Sequence, residues 1–319
     1  MKDCFGREIS YMRISVTDRC NLRCKYCMPE EGIEDLGHEN ILSFESIERI
    51  IKASTELGIT KFRLTGGEPL VRSGIVDLIE ILAKIKGVEE LTLTTNGIML
   101  DKYAEALKNA GLDRVNISLD TMDPKKYAEI TRGGDLSRVI AGINASINAG
   151  LLPVKINVVA IAGFNDDEIN DFVQLTLNHP VDIRFIELMP IGHAQLDQGY
   201  TFMSSEDIKK RLPNLIHLEN HCGVADNFKY SNAIGKIGFI SPMSNHFCGI
   251  CNKIRLTADG KLKPCLHSNQ EIDLNHILKS GDNEKLKGII ATAIMHKEQR
   301  HHLNEGAEPI TRDMYKIGG

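Results

Sequence analysis

Along its first two-thirds the sequence alternates short β-branched runs with amphipathic helical stretches, and that rhythm leaves few folds open. Candidate strands are Met12–Val16, Lys61–Thr65, Leu91–Thr95, Arg114–Leu119, Lys155–Ile161 and Asp182–Leu188. The clearest helix is capped by Ser43, carries Ile47, Ile50 and Ile51 on one face and stops at Gly58. Further helices are expected over Gly74–Lys86, Asp101–Ala110, Leu136–Ala149 and Asp166–Leu177, with Gly87 and Pro180 helping to end the first and last. Strand–helix repeats build a parallel sheet, and right-handed crossovers curl it toward a barrel. Six units fall short of the eight that close one. The expected class is α/β: an incomplete parallel (β/α)6 barrel over residues 1–199 with a C-terminal α+β extension over 200–319. That extension shows short strands near Phe239 and Ile254, then helices near Ile272–Leu278 and Lys285–Ala293.

The chain has 319 residues, 42% apolar and 25% charged, which is ordinary for a globular protein that needs no disulfides to hold its core. Thirty-eight Lys and Arg against 43 Asp and Glu argue against a general nucleic-acid surface and leave room for a local basic pocket. No apolar run approaches the roughly 20 residues of a membrane span. The opening MKDCFGREIS lacks an apolar secretion segment. A cytoplasmic protein with no membrane or nucleic-acid partner is expected, and its eight cysteines then point to metal rather than disulfides.

Six of those cysteines fall into two triads. Cys20, Cys24 and Cys27 form a Cys-x3-Cys-x2-Cys loop just after the first strand. Three thiolates at this spacing suit three irons of a [4Fe-4S] cluster and leave the fourth iron open to a small molecule. Structural zinc wants four ligands, and His38 stands eleven residues beyond Cys27. Cys248, Cys251 and Cys265 repeat the logic at wider spacing. Zinc is a stronger rival there, because His246 and His267 flank the motif, although His246 lies too close to Cys248 for the usual paired ligands.

Reactive groups in parallel α/β sheets collect where strands end. Here Thr65-Gly66-Gly67-Glu68, Thr94-Thr95-Asn96-Gly97, Ser118-Leu119-Asp120 and Glu187-Leu188-Met189-Pro190 each close a strand. Basic residues lie on the strands as well: Arg13, Lys61, Arg63, Lys155 and Arg184, with Lys253 and Arg255 sharing a face by the period of two. Cations inside a barrel are costly unless paired or ligand-bound, so a phosphorylated ligand is attractive.

The cysteine loop with Tyr26 inside it, followed by Gly66-Gly67-Glu68-Pro69, resembles the signature of the radical S-adenosylmethionine superfamily. Further pieces resemble its GTP 3′,8-cyclase family (molybdenum cofactor biosynthesis protein A). They are Asp3-x-Phe5-Gly6-Arg7, Arg13-Ile14-Ser15-Val16-Thr17-Asp18-Arg19-Cys20, Cys27-Met28-Pro29 and Arg63-x-Thr65 before the glycine pair. Thr94-Thr95-Asn96-Gly97, Arg184 to Pro190, the C-terminal triad and the ending Ile317-Gly318-Gly319 complete the match.

The resemblance implies two [4Fe-4S] clusters, one on each triad, and S-adenosylmethionine contacted by Tyr26, Gly67, Ser118 and Met189. It implies GTP contacts at Arg13, Arg63, Thr94, Lys155, Lys253 and Arg255. Members commonly carry Arg at both 253 and 255, and Lys253 keeps the charge without the two-pronged donor. Arg255 and the tail residues Gly318 and Gly319 are the expected catalytic set. The implied reaction closes GTP to (8S)-3′,8-cyclo-7,8-dihydro-GTP after a 5′-deoxyadenosyl radical removes the 3′ hydrogen, the first step of molybdenum cofactor biosynthesis. An electron donor such as flavodoxin or ferredoxin and cyclic pyranopterin monophosphate synthase are the implied partners of a monomer or homodimer.

A radical enzyme that modifies peptides is the nearest rival, but such enzymes usually have a longer C-terminal cysteine set. A two-cluster electron carrier would need closed, four-thiolate clusters. His217, His221 and Cys222 read as a solvated loop, Cys4 as a small buried side chain, His301 and His302 as solvent-facing, and the Phe and Tyr residues as core.

Overall fold

A computed structural model describes residues 1–33, 37, 40–191, 201–219, 223–301, 310 and 312–318. Its first half follows the strand–helix rhythm: β1 (Tyr11–Ser15), α1 (Phe44–Glu56), β2 (Lys61–Thr65), α2 (Ile75–Ala83), β3 (Glu90–Thr95), α3 (Leu100–Asn109) and β4 (Arg114–Ser118). Then come α4 (Pro124–Thr131), α5 (Leu136–Asn148), β5 (Val154–Ala162), α6 (Ile169–Asn178) and β6 (Val181–Glu187). Ser43 does cap α1, accepting from Ser46 N–H. The hydrophobic period does not reveal α4, which opens on Asp123 accepting two backbone N–H groups with proline in its first turn.

The remainder holds β7 (Thr201–Phe202), α7 (Ser205–Lys210), β8 (Ile216–Leu218), β9 (Asp226–Lys229), β10 (Ile237–Ile240), β11 (Lys253–Leu256) and β12 (Lys261–Lys263). It ends with β13 (Ile272–Asp273), α8 (Asn275–Ser280), α9 (Asn283–Met295) and α10 (Met314–Ile317). The helix expected from Ile272 begins only at Asn275, because Ile272 and Asp273 pair with Leu262 and Lys261 as a strand.

One sheet runs β13-β12-β11-β1-β2-β3-β4-β5-β6-β10-β9-β8, and every neighbouring pair from β11 to β10 is parallel. The two short strands expected near Ile254 and Phe239 therefore extend the parallel part of the sheet at its two ends, with short antiparallel strands beyond each. Side chains alternate between its faces. Met12, Ile14, Phe62, Leu64, Leu91, Leu93, Val115, Ile117, Ile156, Ile183 and Phe185 are buried on the apolar face. There α1 packs against α2 and α9, and α3 against α5.

The other face carries Tyr11, Arg13 and Ser15 on β1, Arg63 and Thr65 on β2, and Thr92 and Thr94 on β3. It continues with Arg114, Asn116 and Ser118 on β4, Lys155 and Asn157 on β5, Arg184 on β6, and Lys253 and Arg255 on β11. A parallel strand buried on both faces is normally apolar throughout. These strands are polar on one whole face, so that face is built for a ligand rather than for the core.

Candidate functional site

The cysteine loop leaves β1 and is bound on its outer side to α4. Arg23 and Lys25 N–H donate to the Thr131 and Ile130 carbonyls, and Arg132 Nη1 reaches the carbonyls of Arg23 and Met28 at 3.0 Å each. A tight turn places Cys27 N–H 2.9 Å from the Cys24 carbonyl. Burial pushes the thiols up, Cys20 to about 11, Cys27 to about 12 and Cys24 well above its usual range; neighbouring thiols add to it at Cys24 and Cys27, and Glu68 at Cys20. Thiolates in that setting call for nearby positive charge, which iron supplies. Among the described residues no three His, Cys, Asp or Glu side chains crowd one point as a single metal ion requires.

Three buried carboxylates brace the ends of strands in the sheet, two of them beside this loop. Glu68, wholly buried, accepts from Leu70 N–H at 3.0 Å, Thr95 Oγ1 at 2.8 Å and Asn96 N–H at 2.7 Å. It thus ties the ends of β2 and β3 together, and burial pushes it up to about 7. Asp120 accepts from Tyr26 Oη at 2.6 Å and Val159 N–H at 2.8 Å, and burial raises it to about 6. Glu187 accepts from Ser205, Met243 and Ser244 N–H at 2.9, 3.0 and 3.0 Å. The sequence singles out the turns that carry these residues but not their bracing role.

Gly67 packs backbone to backbone: a β-carbon there would collide with the Arg19 and Asp18 carbonyls. Close approach of chain to chain, as much as of chain to ligand, requires glycine here. Of the other residues expected around S-adenosylmethionine, Ser118 closes β4 on the polar face, and Met189 Sδ lies 3.2 Å from His267 Nε2.

On the polar face, registered pairs set Arg63, Arg13 and Arg255 side by side on three neighbouring strands. Burial first depresses all three, Arg255 to about 10; repulsion adds to it, on Arg13 from Arg255 and Arg63, on Arg255 from Arg63 and on Arg63 from Arg114. Lys155, Arg184 and Lys253 join them, lowered to about 7, 10 and 8, chiefly by burial. Arg114 is matched by Glu90 at 2.5 Å and Lys155 by Asp182 at 3.9 Å. Among the described residues Arg13, Arg63, Arg184 and Lys253 have no carboxylate partner. Tyr11, which the sequence reading passed over, lies between Arg63 at 5.4 Å and Lys253 at 5.5 Å from its ring. Tyr11 Oη, Arg13 Nε, Thr94 Oγ1, both amide atoms of Asn116 and Asn157 Oδ1 are buried with no hydrogen-bond partner. A crowd of cations with orphaned donors and acceptors fits a polyanion that also carries hydroxyls.

The second triad lies at the β11 edge. Burial would raise the Cys251 thiol, but Lys297, Lys253 and Arg7 outweigh it and hold it low; burial leaves Cys265 raised. Arg7 Nη1 donates to the Cys248 and Gln299 carbonyls at 2.9 Å each, and its Nε pairs with Asp3 at 2.6 Å, which explains the N-terminal Asp3–Arg7 motif. Lys297, buried with its Nζ 2.6 Å from the Pro264 carbonyl, has no marker in the sequence.

His301 does not face solvent: it is 4% exposed, with its ring centroid 4.4 Å from those of His246 and His267. Its Nε2 lies 2.9 Å from His246 Nδ1 and 3.1 Å from the Pro242 carbonyl, and these contacts draw it inside. Burial first, then His301 and Arg255, push His267 down to about 3. Cys4, expected inside, is exposed, as are Phe5 and Phe202 at 48% and 47%. His217 is exposed beside Asp226, while His38, His221, Cys222 and His302 lie outside the described residues.

The C-terminal segment is latched by Arg312, whose Nη1 and Nη2 bind Asp259 at 2.8 and 2.9 Å and whose Nε binds Glu271 at 2.8 Å. Beyond α10, Gly318 adopts φ +83° and lodges where a β-carbon would collide with Thr65 Oγ1. Its carbonyl accepts from Arg255 Nη1 at 3.4 Å. Gly319 lies outside the described residues.

Known proteins match this arrangement over the whole chain. The model of the Radical SAM superfamily matches residues 14–176, and that of Molybdenum Cofactor Synthesis C matches 181–303. The chain is 54% identical over 321 residues to the GTP 3′,8-cyclase of Alkaliphilus oremlandii (strain OhILAs), covering 100% of both. It is 49% identical over 321 residues to that of Alkaliphilus metalliredigens (strain QYMF), again covering 100% of both. Among solved structures, Streptococcus suis SuiB bound to precursor peptide SuiA is 15% identical with TM-score 0.63, covering 98% of this chain and 76% of that one. That likeness concerns the fold alone.

Proposed function

The chain belongs to the GTP 3′,8-cyclase family of the radical SAM superfamily, and from that premise we propose that it converts GTP to (8S)-3′,8-cyclo-7,8-dihydro-GTP in the first step of molybdenum cofactor biosynthesis. The observation that carries this reading is the polar sheet face. It carries Arg13, Arg63, Lys155, Arg184, Lys253 and Arg255, with one cysteine triad following β1 and the other flanking the neighbouring β11 and β12.

Cys20, Cys24 and Cys27 would hold a [4Fe-4S] cluster, and Cys248, Cys251 and Cys265 a second. The first cluster, when bound, supplies the electron that splits S-adenosylmethionine to the 5′-deoxyadenosyl radical. Tyr26, Gly67, Ser118 and Met189 would seat S-adenosylmethionine, and the lumen cations the triphosphate. Arg255 and the Gly318–Gly319 tail would place the base against the second triad and shut out water. Positioning a C–H bond beside a radical is the main task, and braced strand ends suit it.

The sheet would curl into an incomplete (β/α)6 barrel over residues 1–199, with 200–319 carrying the second cluster. Arg13 on β1 and Arg184 on β6 repel one another, although five strand spacings, about 24 Å, would separate them in a flat sheet. No described helix is long and apolar enough to cross a membrane. A cytoplasmic monomer or homodimer, reduced by a flavodoxin or ferredoxin and passing its product to cyclic pyranopterin monophosphate synthase, completes the reading.

The reconstituted, reduced protein should transfer deuterium from C3′-deuterated GTP into 5′-deoxyadenosine, as read by mass spectrometry. Unlabelled 5′-deoxyadenosine formed equally without GTP would remove GTP as the substrate.

Lys155 gives the pH dependence. Its value of about 7 lies below the ordinary 10.5, so it is charged below pH 7 and neutral above. A triphosphate restores the charged form, and binding at pH 8.5 takes up close to one proton at this site. Calorimetry in buffers of different ionisation enthalpy should show that uptake, and GTP affinity should weaken as pH rises from 7 to 9. Uptake that survives unchanged in Lys155→Met would contradict the assignment.

A further inference from the structure

We propose that Asn116 binds the ribose hydroxyls of the nucleotide and makes the enzyme selective for a ribonucleotide, an inference that rests on the GTP reading above. The cations of the polar face come from β1, β2, β5, β6 and β11. Between them, β3 and β4 present a neutral sector: Thr92, Thr94 and Asn116, with Arg114 already matched by Glu90. A nucleoside triphosphate has one neutral, hydroxyl-bearing part, its sugar, and that part suits this sector.

Asn116 is wholly buried, and neither its Nδ2 nor its Oδ1 has a hydrogen-bond partner. Thr94, its registered neighbour on β3, has an orphaned Oγ1 as well; its neighbour on β5 is Lys155. A phosphate offers only acceptors, so it can meet the amide nitrogen but leaves the amide oxygen bare. A hydroxyl both donates and accepts and can satisfy either atom. Two residues further along the same face of β4 stands Ser118, about 7 Å on, at the strand end where S-adenosylmethionine would lie. A sugar held by Asn116 would thus present its C–H bonds toward that end, with the triphosphate free to reach the cations on either side.

The test is equilibrium binding of GTP, 2′-deoxy-GTP and 3′-deoxy-GTP to the reconstituted holoenzyme by calorimetry, without reductant so that nothing turns over. The wild type should reject at least one deoxy analogue by about tenfold or more, the effect of stranding one buried hydrogen-bonding group. Asn116→Leu should lose about tenfold in GTP affinity while its affinity for the rejected analogue stays within about twofold, so the preference disappears. Asn116→Ser, which keeps one hydroxyl, should fall between them. Thermal melts of the variants without nucleotide report folding; removing an unpartnered amide should not lower them. Equal rejection by wild type and Asn116→Leu, or no rejection by the wild type, would overturn the proposal while leaving GTP as the substrate. A wild type that binds no GTP would instead overturn the functional reading.

Discussion

Cys24→Ser and Cys265→Ser should fail in different ways. Reconstituted wild-type protein should hold about eight irons and eight sulfides, two four-iron clusters, and each variant about half of that. Cys24 lies in the loop beside Tyr26 and Asp120, so its loss should abolish 5′-deoxyadenosine altogether, with or without GTP. Cys265 lies just beyond β12, whose Lys263 is the registered neighbour of Arg255. Its loss should leave S-adenosylmethionine cleavage measurable and remove the cyclised nucleotide. Chromatographic quantification of both products settles the matter. Cyclised product from Cys265→Ser would separate the second triad from the substrate, and four irons with one zinc in the wild type would replace its cluster.

The sequence could reveal the first six strands because each alternates apolar core residues with polar ones. Lys61–Thr65 is predicted to the residue, and the other five to within one at each end. It could not reveal where β10 and β11 go, since Ile237 meets Ile183 and Ile254 meets Met12 across long stretches of chain. Short-range motifs exposed the triads and the glycine turn, whose spacing is local. The groups that brace them are long-range choices: Asp120 for Tyr26, Glu187 for Ser244, Lys297 beside Cys251. The same limit explains His301, placed in solvent by its nearness to the C-terminus but enclosed by His246 and His267 from elsewhere. Asn116 and Tyr11 escaped because neither carries a charge or a motif. Only the orphaned atoms on the assembled sheet face mark them out.

Arg13→Met should make the nucleotide-free protein more stable and the enzyme much worse. In the wild type the Arg13 guanidinium loses hydration by burial and is repelled by Arg255, Arg63 and Arg184, with no carboxylate partner among the described residues. Its Nε has no hydrogen-bond partner. Replacing an uncompensated cation by an apolar side chain of similar length should therefore stabilise the fold by about 1–2 kcal/mol, a rise of roughly 2–6 °C in melting temperature for a chain of this size. The same substitution removes charge-assisted hydrogen bonds to a triphosphate, worth about 1.5–3 kcal/mol, and GTP affinity should fall about 10–100-fold. Melting the reconstituted protein with and without GTP measures both effects. Without nucleotide the variant should melt above the wild type, and with saturating wild-type levels of GTP the order should reverse. Arg63→Met is the contrast: Arg63 stacks on Tyr11 and bonds Thr92 Oγ1 at 3.1 Å, so its removal costs packing and should gain little. A nucleotide-free Arg13→Met that melts below the wild type would mean that Arg13 serves the fold. The cations of the polar sheet face could then no longer be read as a binding surface maintained at the expense of stability.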